Sequence, residues 1–426
     1  MMSQNLLGWI FLLLIVFGTF LVCKKYPKTK NFLFVALFLR SFCVILDQYF
    51  LTLLGSTGDA FGFEKKAFFY SQEFGLKIIL DIFQLDSYFI SGLISIFYTL
   101  LDRSVMMAKM FSVGFGTAAV FLIYHLTRII WGSRTALKAG WFAALFPSLI
   151  LYSAIILREV YVLFFLTYAL IGCVSFIDKN KFVDFIKSIF GFFIAALFHG
   201  PMILGLFIFL MYVFFKILKQ NNYFLRFKKK NIYLIFLLPV ILTPIITFFL
   251  GYYSIPKIGN IKNFGDFTDK NKTNIQSIKE RIIWKIEKAT RSSNNNDSGA
   301  GYPSWTKPKD TIEIIYLTPV KMFYFLYAPF PWDIKRFKHL IGLFDAILYI
   351  YLSFCILRNR KILYKNPKTY FLIMILMTYI FVYSFGVGNF GSAIRHRLKF
   401  IGIFIAIAAP RIAKIKFSKS KVRIKK

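Results

Sequence analysis

The side chains of this chain that could do chemistry fall in four short segments. They are Asp59 in Gly58-Asp59-Ala60, the pair Arg158 and Glu159, His199 in His199-Gly200-Pro201, and the cluster of Arg395, His396, Arg397 and Lys399. A carboxylate whose pKa is raised by burial can accept a proton from a hydroxyl group. Guanidinium groups bind phosphate oxygens through paired hydrogen bonds. These residue types therefore suit the transfer of a group from a phosphate to a hydroxyl, provided that the fold brings them together.

Asp59 is the candidate base, and Glu159 is a candidate second carboxylate of the same cavity. Asp59 follows a glycine close to the end of an apolar run, and Gly-Asp pairs are also common in ordinary surface turns. Glu159 could equally complement the dipole of the helix that begins there, with Arg158 capping the carbonyls before it. In the functional interpretation Arg158 contacts a phosphate instead.

The elements that must position these residues are membrane helices. The chain is 58% hydrophobic with 54 phenylalanines, and several runs approach the roughly 20 apolar residues that cross a bilayer. A net charge of +35 would suggest nucleic acid in a soluble protein, but here the basic residues lie between the apolar runs. Short loops rich in Lys and Arg stay in the cytoplasm. The charge therefore indicates topology, and we expect no nucleic-acid partner.

Charge placement predicts an all-α, polytopic integral membrane protein with about eleven transmembrane helices, its N-terminus outside and its C-terminus in the cytoplasm. The predicted crossings are 6–22, 32–54, 104–127, 137–156, 160–177, 185–199, 202–218, 232–253, 338–357, 369–387 and 399–413. The apolar run 87–101 is short of a full span, so we interpret it as an interfacial or re-entrant helix.

Two long segments, 55–103 and 254–337, are predicted to lie on the outer face. Residues 63–86 and 277–291 mix apolar and charged side chains in the manner of helices that lie on a membrane surface. Residues 291–301 are rich in Asn, Ser and Gly, which predicts a mobile loop. The chain ends in a basic tail, 414–426, on the cytoplasmic side.

The cluster Arg395, His396, Arg397 and Lys399 is predicted to occupy a short outer loop. Outer loops of this length normally avoid such charge, so the exception indicates an anionic partner. Phosphates of lipid headgroups are one candidate partner, and the phosphate of a lipid-linked substrate is the other. His199 lies in a short outer turn and could join the same cavity, or simply cap the end of its helix.

Other candidate sites have less support. Arg40 and Asp47 lie two turns apart on one face of the second predicted helix, and charges inside a membrane span are either functional or hold helices together. The four cysteines, at positions 23, 43, 173 and 355, are scattered. Neither their spacing nor that of the histidines predicts a metal site, and we expect no metal and no cofactor. The prolines and aromatic residues of 327–332 fit either an interfacial anchor or the wall of a lipid-binding groove.

The arrangement resembles membrane glycosyltransferases of the GT-C class, which take sugars from polyprenyl phosphate carriers on the outer face. The resemblance consists of an Asp just after a membrane helix in a first long outer loop (Asp59), Phe146-Pro147-Ser148 leading to Leu157-Arg158-Glu159, and a long outer segment late in the chain. It implies that Asp59 is the catalytic base and that Glu159 and the late arginines contact the carrier. The tandem acidic pair of many members is missing, because Asp59 has Gly58 and Ala60 as neighbours. O-antigen and capsule polymerases look similar, and for these the loop 395–399 would matter more than Asp59.

The sequence therefore predicts a glycosyltransferase of the bacterial cytoplasmic (inner) membrane that uses an undecaprenyl-type sugar donor in cell-surface polysaccharide synthesis. Its partners would be the polyprenyl (di)phosphate-linked sugar and membrane lipids. Asp59 would be catalytic, and the substrate-binding residues would be Arg158, Glu159, His199, Arg395, His396, Arg397 and Lys399. The alternatives are a repeat-unit polymerase, and a flippase or transporter of lipid-linked glycans.

Overall fold

The computed structural model describes residues 2–85, 88–220, 300–306, 311–336 and 339–414. These residues are helical for most of their length, and no β-strand occurs among them. The helices are α1 (Met2–Lys25), α2 (Lys30–Tyr49), α3 (Asp59–Glu73), α4 (Ile78–Asp81), α5 (Phe89–Leu101), α6 (Val105–Trp131), α7 (Ser133–Ala144), α8 (Pro147–Ser153), α9 (Glu159–Lys179), α10 (Phe182–Phe198), α11 (Ile203–Gln220), α12 (Thr311–Tyr327), α13 (His339–Lys365), α14 (Pro367–Gly386), α15 (Phe390–Leu398) and α16 (Ile401–Ile412).

The protein is an all-α, multi-pass membrane protein. By length and apolar composition, 6 of the described helices can cross a bilayer, namely α1, α2, α6, α9, α13 and α14. A seventh crossing results if α7 and α8, which meet at an angle of 60°, form one broken span. Together α7 and α8 cover most of the predicted crossing 137–156, and Pro147 at the start of α8 lies at the break. Pro lacks an N–H and cannot continue the hydrogen bonding of the preceding helix.

The remaining predicted crossings divide into two groups. The crossing 232–253 lies outside the described residues, as do 254–299, with the amphipathic segment 277–291 and most of the predicted loop, and 415–426 of the basic tail. The crossings 185–199, 202–218 and 399–413 correspond to α10, α11 and α16. The helix α16 and the apolar run Gly200–Lys216 are shorter than the 6 long helices.

Among the described residues, the connections after α1, α9 and α13 are basic and lie at one end of the helix bundle, which we call the basic end. Three contacts hold its loops together: Lys368 Nζ lies 3.0 Å from Asp178 Oδ1, Lys216 donates to the side chain of Asn180, and the Arg128 guanidinium lies over the ring of Tyr26. Asn180 ends α9 in the left-handed conformation, with φ of 52°, which Asn adopts more readily than most residues. The opposite end, where α9 begins at Glu159, is the site end.

The core lies around α6, which packs against α1, α2, α7, α9 and α16. Helix α16 is only 12 residues long, yet most of its side chains are buried. A helix that is apolar on all sides belongs inside a bundle, and α16 packs against α6, α7, α13 and α14. By contrast, α1 exposes many large apolar side chains, for example Leu13 and Phe17. This exposure is expected where a helix contacts lipid.

At the site end, α3 and α5 pack against each other as a helical pair. Helix α5 has 13 residues, or about 20 Å at 1.5 Å per residue, which is shorter than the hydrocarbon core of a bilayer. A buried carboxylate, Glu64 of α3, holds the pair in place. It accepts two hydrogen bonds of 2.9 Å from Arg103 and one of 3.2 Å from the Tyr98 hydroxyl. This bidentate ion pair anchors α3, whose first residue is Asp59.

The two charges predicted within α2 have separate, structural partners. Arg40 is fully buried, and its Nη1 donates to the carbonyls of Ala36 and Ala144, the second of which lies at the end of α7. Asp47 pairs with Lys109 of α6 at 2.8 Å. Both charges thus join α2 to a neighbouring helix.

Candidate functional site

Two carboxylates and an arginine from three distant parts of the chain meet at the site end. Arg395 Nη1 lies 2.6 Å from Asp59 Oδ2, and Arg395 Nη2 lies 3.1 Å from Glu159 Oε1. Lys399 Nζ lies 3.9 Å from the same Glu159 oxygen. The predicted convergence of Asp59, Glu159 and Arg395 is therefore present in the structure. We call these residues, with Arg158, His199, His396 and Lys399, the Arg395 cluster.

Local sequence explains where each of these charges sits on its helix. Asp59 and Glu159 are the first residues of α3 and α9, where a negative charge complements the positive end of the helix dipole. Arg395 lies in the last turn of α15, and Lys399 follows that helix directly. A positive charge is favoured at such a C-terminal end. Two helix N-termini thus meet one helix C-terminus, which accounts for the pairing of charges.

The start of α15 is fixed by its own capping residue and by a remote segment. Asn389 precedes the helix, and its side chain accepts a hydrogen bond of 2.8 Å from the Ser392 amide. The backbone of 300–302 pairs with residues 388–390, with Phe390 N donating to Ala300 O at 3.0 Å and Tyr302 N donating to Gly388 O at 2.9 Å. The segment predicted as a loop is consequently a capped helix in a defined orientation.

The two carboxylates of the cluster differ in exposure. The side chain of Glu159 is 0% exposed and that of Asp59 is 63% exposed, with Arg395 between them at 23%. Burial by itself lowers the pKa of Arg395, but the charges of Glu159 and Asp59 more than offset it and hold that pKa above its ordinary value. Among the described residues, neither Arg395 Nε nor Glu159 Oε2 has a hydrogen-bond partner. The donor Arg395 Nε and the acceptor Glu159 Oε2 are therefore available for a further hydrogen bond.

A second layer of polar groups lies next to this arginine. Lys399 Nζ is 2.7 Å from Nδ1 of His396, and the Tyr383 hydroxyl is 2.8 Å from Nδ1 of His199. The rings of His199 and His396 are 5.6 Å apart, and Lys399 also lies over the ring of Tyr383. Tyr383 was missed by the sequence analysis because tyrosines are numerous in this chain. It lies in the last turn of α14, which brings α14 to the site.

His396 is held in its neutral form. Burial, followed by the charges of Lys399 and Arg395, lowers the pKa of His396 well below its ordinary value. A neutral imidazole has one nitrogen free to accept a hydrogen bond, and an ammonium group can only donate one. A charged Lys399 therefore requires the proton of His396 to be on Nε2.

Arg158 is the least constrained cation of the cluster. Its charge is close enough to lower the pKa of His396, and its guanidinium lies 5.9 Å from the centre of the Phe63 ring of α3. Within the described part of the chain its Nε has no hydrogen-bond partner. Arg158 is thus a partly exposed cation with a donor available at the edge of the cluster.

Arg397 lies elsewhere, although the sequence analysis grouped it with Arg395. Its side chain is fully buried, and Nε and Nη2 donate to Asp345 Oδ2 of α13 at 2.9 and 2.6 Å. Nη1 donates to the carbonyls of Leu326 and Ala328 at the end of α12. A cation at a helix C-terminus satisfies carbonyls that the helix leaves unpaired. Arg397 therefore joins α12, α13 and α15 and does not face the two carboxylates of the Arg395 cluster.

The sequence analysis missed Asp345, although a signal for it exists. A single acid in the apolar run 340–357 is an intramembrane charge, which calls for a partner. The aromatic segment after α12 was singled out, and there the Tyr327 hydroxyl donates to Ser353 Oγ at 2.9 Å while Trp332 is largely exposed. These contacts are compatible with both the anchor and the groove wall.

Within the described residues, no group of three or more His, Cys, Asp and Glu side chains could hold a metal ion. The arrangement can do two things chemically. Asp59 is 63% exposed, so the burial on which the sequence analysis based its assignment as a base is absent, and Arg395 holds its carboxylate instead. The carboxylate can still accept a proton, and the cations of Arg158 and Arg395 can stabilise negative charge on a phosphate. Burial lowers the pKa of Lys399 well below its ordinary value, so Lys399 is the weaker source of positive charge. Comparison with known proteins finds no protein-family model and no curated protein that matches this chain.

Proposed function

We propose that this protein is a membrane glycosyltransferase that takes a sugar from a polyprenyl phosphate or diphosphate carrier for cell-surface polysaccharide synthesis. The observation that carries the proposal is the meeting of Asp59, Glu159 and Arg395 at one end of the bundle. An exposed carboxylate and a set of cations are the groups needed to activate a hydroxyl and to stabilise a departing phosphate. The resemblance to the GT-C class assigns the same roles to Asp59 and the late arginines.

In the proposed reaction the acceptor hydroxyl attacks the anomeric carbon of the donor sugar. Its proton passes to Asp59, a new carbon–oxygen bond forms, and the bond from the anomeric carbon to the phosphate oxygen breaks. The bond pair leaves with the phosphate, where Arg395, Arg158 and Lys399 offset the developing charge. A single base fits an inverting displacement. No metal ion is required by this scheme.

The proposal includes an orientation. The site end would be outside, because the opposite end carries Lys368, Lys216 and Arg128 and basic loops stay in the cytoplasm. The host membrane would be the bacterial inner membrane, with about eleven crossings in the full chain, the N-terminus outside and the C-terminus in the cytoplasm.

A repeat-unit polymerase is the second candidate, and one observation favours it. Arg395 is the residue that contacts both carboxylates, and its helix α15 together with Lys399 supplies most of the cluster. In a polymerase of lipid-linked repeats this arginine, rather than Asp59, would dominate the chemistry. Deleting the gene separates the two functions: glycans lacking one sugar per repeat indicate a transferase, and glycans of a single repeat indicate a polymerase.

The test of the base assignment is Asp59→Asn, expressed at normal levels in cells that depend on this protein for glycan synthesis. We expect synthesis to fall by about 100-fold or more, because general-base catalysis typically contributes this much. Asp102→Asn is the matched control, since Asp102 is an exposed acid at the same end whose side chain accepts a hydrogen bond from the adjacent Arg103 amide. Full synthesis by a normally inserted Asp59→Asn protein would refute the assignment.

A further inference from the structure

The two carboxylates on Arg395 are not equivalent, and the difference indicates what binds there. Glu159 is completely buried and also lies near Lys399. Removing it from Arg395 would leave buried charges without partners, which is costly. Asp59 is 63% exposed, and exposed ion pairs contribute only about 0–1 kcal/mol. Arg395 thus has one fixed anionic partner and one that water or another anion can replace at little cost.

The geometry at Arg395 favours a phosphate as the replacing anion. A phosphate group offers several oxygens in the geometry that a guanidinium fork binds, and it can carry more charge than one carboxylate. Arg395 Nε is buried, has no partner among the described residues and adjoins Nη2 rather than Nη1, so a phosphate in the place of Asp59 uses Nη1 on this guanidinium. Arg158 Nε is in the same condition nearby. A carboxylate on Nη1 alone leaves the Arg158 donor unused.

We propose that Arg395 is an exchangeable phosphate-binding position in which the Asp59 carboxylate stands in for a phosphate oxygen, and that a bound phosphate releases Asp59. This inference rests on the proposed function and specifies the order of its steps. Asp59 cannot act freely as a base while Arg395 holds it at 2.6 Å. The donor phosphate takes Arg395 first, and the freed carboxylate then meets the acceptor hydroxyl. The exchange itself is non-covalent.

The test measures phosphate binding rather than glycan synthesis. Inorganic pyrophosphate is titrated into the full-length protein in nanodiscs of phosphatidylcholine, and its dissociation constant is measured by calorimetry. Asp59→Asn removes the competing carboxylate, so we expect pyrophosphate to bind about two- to fivefold more tightly. Arg395→Lys, alone and combined with Asp59→Asn, completes a double-mutant cycle with the wild type, and in the Arg395→Lys background Asp59→Asn should produce no gain.

Glu73→Gln is the matched control for net charge. Glu73 ends the same helix α3, is exposed, and forms no ion pair with another described residue. An equal gain in Glu73→Gln would mean that the overall field of the protein, and not the exchange at Arg395, governs pyrophosphate binding, and the proposal would be wrong. Unchanged or weaker binding by Asp59→Asn would overturn it as well.

Two further arms identify the source of the phosphate. Phosphatidylcholine headgroups are zwitterionic, so nanodiscs with phosphatidylglycerol add headgroup phosphates of net negative charge, and nanodiscs with added polyprenyl phosphate present the carrier. Loss of the Asp59→Asn gain in phosphatidylglycerol alone would make a lipid headgroup the occupant and overturn the donor assignment. If a low concentration of polyprenyl phosphate removes the gain in pyrophosphate affinity and phosphatidylglycerol does not, the result supports the phosphate of the sugar donor as the occupant. The proposed function fails separately, if Asp59→Asn gains affinity for pyrophosphate but keeps full glycan synthesis.

Discussion

Arg395 and Arg397 lie two residues apart on one short helix, yet they have opposite surroundings. Arg397 is 0% exposed, its carboxylate partner Asp345 is equally buried, and it donates to backbone carbonyls at the end of α12. Arg395 is 23% exposed, joins one buried and one exposed carboxylate, and keeps Nε without a partner. A fully satisfied, fully buried charge holds elements together, whereas a partly satisfied charge at the surface can still bind something.

The difference follows from helix geometry. Residues four apart share a face of a helix, and residues two apart point to different sides. Lys399 is four residues after Arg395 and joins it beside Glu159, while Arg397 projects toward α12 and α13. The cations of this one segment therefore have two roles, because the helix directs Arg395 and Lys399 to one side and Arg397 to another.

The largest expected effect is on the Arg397 side of this comparison. Asp345→Asn leaves Arg397 as a buried cation without a counter-charge, and breaking a buried ion pair in this way typically costs about 3–5 kcal/mol. We expect little folded protein in detergent extracts, measured as the monodisperse fraction on size exclusion, and a large fall in Tm for what remains.

The double variant Asp345→Leu with Arg397→Met is the control for this prediction. Replacing both charges by apolar groups of similar size removes the desolvation penalty and is often neutral or stabilising. It should recover much of the folded yield. If Asp345→Asn alone folded as well as the wild type, the structural role of this pair would be incorrect.

The second effect concerns Arg395, where function should suffer more than stability. Arg395→Gln removes the group that links Asp59 and Glu159, and we expect glycan synthesis to fall by about 100-fold or more. Buried Glu159 loses a partner, which is costly, but the loss of stability should be smaller than for Asp345→Asn, because Lys399 Nζ remains 3.9 Å from Glu159 Oε1 and Asp59 is exposed to water. Activity is measured as glycan produced per inserted protein.

Lys77→Gln is the control for Arg395→Gln, since Lys77 is an exposed cation in the connection after α3. It should leave both synthesis and Tm near the wild-type values. If Arg395→Gln unfolded the protein as severely as Asp345→Asn, the two arginines would be alike, and the contrast between them would be lost.

The grouping of the charged residues at one end of the bundle could be predicted from the sequence, but the different surroundings of Arg395 and Arg397 were not predicted. Apolar runs and basic loops predicted a helical membrane protein and placed Asp59, Glu159 and the 395–399 cluster at one end. The cluster was interpreted as a loop followed by a crossing from 399, whereas the structure has a helix, Phe390–Leu398, before α16. With a helix assumed, the spacing would have separated Arg397 from Arg395 and Lys399.

Contacts between residues that are far apart in the chain could not be predicted from the sequence. Arg395 and Asp59 are 336 positions apart, and no local pattern states that they touch. Asp345 could have been noticed as a lone intramembrane acid, but its choice of Arg397 depends on how α12, α13 and α15 pack. The bidentate pair of Glu64 and Arg103, which anchors the helix of Asp59, was likewise found only in the structure.

The smallest effect is a pH dependence of stability to which His396, on the Arg395 side, contributes. The hydrogen-bond partners of Arg397 are Asp345 and backbone carbonyls, with no histidine among them. His396 lies beside Lys399 and the ring of His199, and burial, followed by the positive charge around it, keeps its pKa low. An unfolded histidine has a pKa of about 6.5. Below that pH the unfolded chain binds a proton that the folded site does not accept.

Folding stability therefore rises with pH in this window, because the unfolded state binds more protons. The contribution of His396 is fully present above about pH 6.5 and decreases as the pH falls from there toward the lower pKa of the folded protein. We expect Tm in detergent to be lower at pH 5.5 than at pH 7.5, and His396→Asn to reduce that difference because asparagine keeps a hydrogen-bonding side chain but does not titrate. An identical fall in His396→Asn would assign the pH dependence to other groups, such as His199, and the neutral form of His396 would then contribute nothing measurable to the stability of the site.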